Sequence, residues 1–469
     1  MEAAVTYKDL AFSFADILHV DQIEIRERPN EHASLRITAV LDAERERDIF
    51  FRVPDTLELL YTDGGERRIL FSGMLFTSAM RRKGKYLYLT LEARSHTWKM
   101  DLKKKIRSFQ NLQETCGRIT EEILKAYPGC IWRPYFADSP VGQLLLQYEE
   151  TDWEFLKRLA GKYHARLYPR ADMSGLAFGM GLPDGREEWE LEETFFTSEV
   201  SFTDYERIKS NTGSGVLPQQ YLTWKVKSRE ILPLGVRIRY RGRDWFVGEI
   251  NRTLADGILR STYTLIQQEQ DIREASFAPM LAGISMDGVV KSVVRNRVQV
   301  YMDQDLNTRT AGLYWFPYST VACSGDGSGW YCMPEAGENV RVYFPTADEK
   351  EAYAVSMLSG NTLGNQGVSM DPAVKHISTA QGNMVTFSGA GAQISVKGNT
   401  GTVNLGSDGA FSITAAESIS IYAGSRVSFL GDTITAVADE KTDIAADPGA
   451  SISLKPGQAD LKAVKIYQN

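Results

Sequence analysis

Four carboxylates stand close together late in the sequence, at Asp439, Glu440, Asp443 and Asp447. Two carboxyl groups about 5–10 Å apart in a groove can hydrolyse a glycosidic bond, one as acid and one as nucleophile or base. The flanking residues 434–450 hold no aromatic side chain on which a sugar could stack, so the cluster reads as a solvated loop. Asp303 and Asp305 fall in the stretch Met302–Asn307 and read as turn residues. The run Ser324-Gly325-Asp326-Gly327-Ser328-Gly329 has the glycines of a phosphate cradle, but no helix or suitably placed lysine follows it. Cys116, Cys130, Cys323 and Cys332 show no Cys-x-x-Cys spacing and the five histidines are scattered, which argues against zinc and against a disulfide framework. Cys323 and Cys332 could face each other across a hairpin, and free thiols are expected there in a reducing cytosol. No Ser-His-Asp or Cys-His arrangement emerges. The expectation is a protein without catalytic, cofactor-binding or metal-binding residues, and not an enzyme.

With catalysis set aside, function must lie in architecture. At 469 residues, 43% hydrophobic and 24% charged, the chain is long enough for about three globular domains. A net charge of −7 with intermixed signs lacks the basic face of a nucleic-acid binder. The short basic cluster Arg81-Arg82-Lys83 with Lys85 flanks Gly84 and reads as a hairpin turn. Met1–Tyr7 lacks the pattern of an export signal, and no run approaches the ~20 apolar residues of a membrane span. Synthesis and assembly in the cytoplasm are expected.

Three regions follow one another. Residues 1–275 read as mostly β: Tyr86–Leu91 and Val236–Tyr240 alternate with period two, and Arg241–Asp244 turns into Trp245-Phe246-Val247. Two helices are expected there, Leu112–Tyr127, stopped by Pro128-Gly129, and Asp152–Tyr163, with Thr151 or Asp152 as cap. Residues 277–358 suggest five short strands in a small barrel of the oligonucleotide/oligosaccharide-binding (OB) type, a fold name that implies no such ligand. Beyond that, every tryptophan and cysteine is left behind, and residues 375–469 are rich in Gly, Ser, Thr, Ala, Val and Ile.

This last region carries a repeat. Apolar pairs two residues apart recur as Val385/Phe387, Ile394/Val396, Val403/Leu405, Phe411/Ile413, Ile419/Ile421, Val427/Phe429 and Ile434/Ala436, then Ile444 alone, Ile452/Leu454 and Val464/Ile466. The early steps are nine, nine, eight, eight and eight residues. A strand this short has only two inward side chains, each contributing about 1.5–3 kcal/mol against about 1–2 kcal/mol of backbone ordering per residue. One chain cannot close a core on such strands. Three chains wound into a triple-stranded β-helix can, with each strand pairing to neighbouring chains and Ser395, Ser412, Ser420, Ser428, Thr435 and Ser453 outward. Ten strands per chain at ~4.8 Å spacing give an expected rod of about 45–50 Å. A single-chain solenoid and a disordered tail are the alternatives.

Segments in all three regions resemble one family. Trp98-Lys99-Met100-Asp101-Leu102 with Ile106-Arg107-Ser108-Phe109-Gln110-Asn111, then Gln147–Ala160, then Trp315-Phe316-Pro317-Tyr318 and Gly329–Val340 are similar to stretches of VgrG-type spikes and phage baseplate hub-and-spike proteins. The resemblance implies a homotrimer with a barrel-like hub, an OB-fold neck and a β-helical needle. It further implies inner tube and baseplate proteins as partners and the target cell envelope as the object of firing. Only a short stretch separates Leu358 from the repeat, so no muramidase insert is expected. The repeat runs almost to Asn469, and a PAAR-type protein is the expected tip, seated on Val464, Ile466 and Tyr467. A trimeric tail-spike that degrades polysaccharide or binds a receptor is the alternative.

Overall fold

The computed structural model describes residues 5–13, 17–42, 56–183, 189–212, 217–271, 277–307, 312–320, 332–356, 371, 373–379, 381–397, 399–446 and 449–465. It is mainly β and divides into two compact units, Met1–Leu358 and Ser359–Asn469.

In the first unit, period-two burial sets the main layer. Leu87, Leu89, Leu91 and Ala93 are buried along the strand Tyr86–Ser95 and oppose Leu41, Ala39, Ile37 and Leu35 of Ser34–Asp42. These two strands lie within one large sheet. Its order is Leu10–Phe12, Leu57–Asp63, Glu66–Lys83, Tyr86–Ser95, Ser34–Asp42, His19–Glu27, Arg243–Ala255, Ile258–Ile266, Leu222–Ser228 and Phe196–Val200. The seam between its halves is His19–Glu27 against Arg243–Ala255, where the buried Arg252 guanidinium bonds the buried Glu27 carboxylate. Both expected turns are present. Lys83 opposes Tyr86 around Gly84, and Arg241-Gly242 reverses the chain with both residues at positive φ, as a two-residue hairpin requires.

Among the described residues three α-helices accompany the sheet: α1 (Cys116–Leu124), α2 (Asp152–Lys162) and α3 (Phe202–Thr212). The helix expected from Leu112 begins later, because Glu114 N–H bonds Asn111 O in a turn and the Thr115 side chain then caps Arg118 N–H. Helix α2 starts where expected, closed by a capping box in which Thr151 and Glu154 exchange bonds of 3.1 and 2.9 Å.

Five strands follow: Ile284–Val294, Arg297–Met302, Trp315–Pro317, Asn339–Phe344 and Tyr353–Ser356. They pair in the order third, second, first, fourth, fifth, and a parallel bridge from Tyr318 to Ala354 joins the two outer strands into a barrel. Val298, Val300, Phe316, Val342 and Phe344 fill it. The Ser324–Gly329 run and Cys323 lie outside the described residues.

The second unit departs from expectation in its hydrogen bonding. Lys375–Ser378, Met384–Ser388, Gly391–Val396, Gly401–Gly406 and Phe411–Ala415 form an antiparallel meander within one chain, and Thr442–Ala446, Ala450–Lys455 and Gln458–Lys462 form a second. Local hairpins with Gly in the turns make in-chain pairing available here, which the eight- to nine-residue step alone did not disclose. Two further strands, Lys375–Ser378 and Gln458–Lys462, lie outside the apolar pairs read from the sequence.

Candidate functional site

The segments picked out in sequence at 105–111 and 147–160 meet in one place, a clasp between the helical layer and the barrel. Lys105–Phe109 pairs antiparallel with Leu145–Glu150, Phe109 opposite Leu145. Successive side chains of a strand point to opposite faces. Phe109 and Leu145 therefore enter the helical core with Cys116, Ile119 and Trp153, while Leu144 and Leu146 enter the barrel core. One short ribbon is shared by two cores.

Polar groups fix the register of that ribbon on the barrel. The Ser108 N–H and hydroxyl both donate to the buried Asp305 carboxylate, and Asn307 Nδ2 donates to Ser108 O at 3.0 Å. Gln110 Nε2 donates to Val300 O at 3.3 Å and its Oε1 accepts from Tyr314 N–H at 3.1 Å. Gly312, at φ +79°, passes so close to Asn111 that a Cβ there would lie 2.8 Å from its Cγ. Burial pushes the Asp305 carboxyl up, opposed by its bonds from Ser108 and Asn307. Asp305 lies in the turn expected from the sequence, its Oδ1 accepting from Asn307 N–H at 2.9 Å, and serves the clasp as well.

Arg158 of α2 holds the other side. Its Nη1 donates to Glu349 at 2.6 Å, its Nη2 to Leu146 O at 2.7 Å and Glu150 at 2.8 Å, and its Nε to Glu150 at 3.1 Å. Glu349, from the barrel side, has no exposed surface. Burial pulls the guanidinium pKa down, but the bonds and charges of Glu150 and Glu349 more than offset it, and Arg158 remains a cation. The start of α2 is tied as firmly. Asp152, fully enclosed, accepts from Lys105 Nζ at 2.5 Å, Tyr127 OH at 2.8 Å and Gln147 Nε2 at 3.0 Å. Asp101 accepts from the Thr151 hydroxyl and lies 3.0 Å from His32, whose ring packs tilted against Trp153 with centroids 5.0 Å apart. Trp153 Nε1 donates to Asn30 O at 3.2 Å. Helix α2 thus joins the large sheet, the helical core and the barrel.

A further buried acid closes the same unit. Asp271 accepts from Tyr168 OH at 2.5 Å and lies 3.5 Å from Arg166, and burial pushes its pKa up to about 6 against the bond from Tyr168 and the charge of Arg166. The folded state holds this proton more tightly than the unfolded chain, whose group titrates near 3.8. Its contribution is therefore full below about pH 4 and is lost as pH rises through about 6, a swing of about 3 kcal/mol. Asp271→Asn is expected to raise the melting temperature at pH 8 and flatten its dependence between about pH 4 and 6. A lower melting temperature at pH 8 would show that the anion is needed beside Arg166.

The residues expected to form a needle core fall into three groups. Val385, Ile394, Val403 and Ile413 make one row across the first meander, with Ile377 beside them, and Phe387, Leu405 and Phe411 make the next on the same face. This face stands open in the single chain, with Phe387 53% and Phe411 61% exposed. Val396 ends its strand opposite Gly401. On the other face Gln393 Nε2 donates to Asn404 Oδ1 at 2.7 Å, and Asn404 to Ser412 Oγ at 3.4 Å. Ser395, expected outermost, is buried in the row between Met384 and Thr402. Ile419, Ile421, Val427 and Phe429 are exposed and belong to no strand. Ile452 and Leu454 sit in the second meander, Ile452 between Ile444 and Leu461. Of the tip seat, Val464 is fully exposed, and Ile466 and Tyr467 lie outside the described residues.

Comparison with known proteins agrees with this construction. Residues 26–165, which include the clasp ribbon and α2, match the family model "Phage tail baseplate hub (GPD)". No curated protein matches. Among solved structures, the E. coli c3393 protein, a component of the type VI secretion system with structural similarity to T4 bacteriophage tail proteins gp27 and gp5, aligns with 74% of this chain and 98% of its own at 14% identity and TM-score 0.54. A Francisella PdpA-VgrG complex in its half-lidded form aligns with 84% of this chain and 83% of its own at 7% identity and TM-score 0.50. Residues 26–165 thus match the phage tail baseplate hub family, and the chain shares its fold with the type VI secretion protein and the PdpA-VgrG complex.

Proposed function

We propose that three copies of this chain form the central spike of a contractile injection device: a hub (1–275), an OB-type neck (277–358) and a needle (375–469) that is driven into a target envelope. The carrying observation is the apolar face of the first meander, too large and regular to remain in water. Its strands are five or six residues long beyond the first. Five residues span about 17 Å, and three such walls place their axis about 5 Å from each, half of the ~10 Å between packed sheets. Two walls would cover the same faces, so measured mass separates dimer from trimer.

In the hub, the large sheet branches and has edge strands at Leu10–Phe12, Phe196–Val200 and Trp189–Leu191, each paired on one side among the described residues. Open edges of this kind suit pairing with neighbouring copies or with inner tube and baseplate proteins. The Francisella relative was solved with PdpA, which supports a partner-bound setting for such hubs. Val464, Ile466 and Tyr467 would seat a PAAR-type tip protein. Micrographs of native particles, with this chain tagged, should place it at the tip of a sheathed tube; a position along the sheath or at the far end overturns the reading.

The role is mechanical. Asp443 is paired with Lys441 Nζ at 2.5 Å, and the bond from Lys441 holds its carboxyl below the usual range. A glycosidase acid needs the opposite shift. No clearing of peptidoglycan or capsular polysaccharide by the purified chain is therefore expected. Clearing that disappears in Asp439→Asn or Asp443→Asn would favour the tail-spike alternative.

A further inference from the structure

A small sheet beside the helical core leaves one face open. Its middle strand, Ala177–Met180, pairs antiparallel with Leu167–Pro169 and parallel with Ile131–Pro134. Alternation along the strands separates two faces. Leu167, Phe178 and Met180 enter the helical core, with Trp132 half-buried beside them. On the opposite face Ile131 lies next to Ala177, and Arg133 lies across Gly179 from Tyr168. Small residues on the middle strand make a trough of this face. The Tyr135 ring rests in it, so close that a Cβ at Gly179 would stand 3.0 Å from its edge. Segment 234–237 borders the trough and completes a cleft of about 560 Å³, within the range of ligand sites.

The charge of this cleft opposes that of the chain. Arg133, Arg170 and Arg237 line it and, among the described residues, no carboxylate does, although the net charge is −7. Two of these guanidiniums already hold carboxylates from outside the lining. Arg170 donates from Nε and Nη2 to the two oxygens of Asp172 at 2.8 and 2.7 Å, and Arg237 donates to Asp244. Arg133, exposed at the rim, has no carboxylate partner among the described residues. Met173, Leu234 and Val236 add apolar wall between the charges. We infer that the cleft takes an extended acidic segment of a partner protein, with one carboxylate held by both arms of Arg133 and an apolar side chain against Leu234 and Met173. Arg133 and Arg170 belong to opposite sides of the sheet, two strand spacings or about 10 Å apart. Charge spread this widely suits carboxylates strung along a chain, whereas a phosphate site gathers its donors at one point. One chain builds the whole cleft, so the inference is independent of how many copies form the spike.

Fluorescence anisotropy of a labelled peptide alternating glutamate with leucine, titrated with the full chain, tests this. The same peptide with glutamine for glutamate should bind about tenfold more weakly, the loss expected of a charge-assisted pair. Arg133→Gln should weaken binding of the glutamate peptide as far while leaving the unfolding midpoint unchanged. Ile131→Glu, at a position 46% exposed on the same face, sets a carboxylate beside Arg133 and should weaken binding equally. Lys83→Gln, in the basic hairpin of the large sheet, should leave binding unchanged. No binding by the unaltered chain at about 1 mM peptide overturns the site, as does equal loss in Lys83→Gln and Arg133→Gln. Tighter binding of pyrophosphate than of the peptide, lost in Arg133→Gln, would make this a phosphate site and overturn the acidic segment as its occupant.

Discussion

Replacing Arg158 with alanine should lower the stability of the first unit by about 3–5 kcal/mol, the usual cost of removing one partner from a buried ion pair. Glu349 would be left fully enclosed with its cation gone, and Leu146 O would lose the 2.7 Å bond it accepts from Nη2. The guanidinium-induced unfolding midpoint, followed by tryptophan fluorescence, measures this. Because Leu146 belongs to the barrel core and Glu150 to the ribbon, the loss should reach the joint as well as the helix. Glu349→Gln in the Arg158→Ala background removes the stranded charge and should recover part of the loss. A change below about 1 kcal/mol, the range of exposed pairs, would mean that Arg158 does not hold the clasp.

Ile421→Asp should abolish assembly of the needle. The residue is exposed in the single chain and belongs to the apolar pair Ile419/Ile421 inside the proposed needle. Three copies would gather three carboxylates about one axis, each costing several kcal/mol to bury unpaired. Sedimentation should show the variant as single chains while the first unit keeps its unfolding midpoint. Ser420→Asp, one residue away and outward, should remain assembled. Equal disruption by both would mean that the inward and outward faces are wrongly assigned.

Much of the architecture was legible from spacing. Alternation at Tyr86–Leu91 and the glycine at 84 were enough for a hairpin, because half-buried strands and positive-φ turns leave marks in short windows. The clasp was visible only as resemblance. Asp348 and Lys350 flank Glu349 with charge, so the run reads as solvent-facing, and nothing local reveals that Arg158, 191 residues earlier, neutralises it. Asp305 reads as a turn residue, which it is, and its second role in the clasp is hidden for the same reason, Ser108 lying 197 residues away. The repeat was read as uniform because apolar spacing reports which side chains share a face and is silent about which backbone pairs with which. Turn conformation decides that, and it changes after Ala416.

The solution mass of the intact chain is the most direct test of the three-chain spike. Native mass spectrometry or sedimentation equilibrium should give three times the 52.5 kDa chain mass, held on dilution. A 52.5 kDa species whose 375–462 amides are nevertheless protected from exchange would contradict it, since that needle would have closed its core alone.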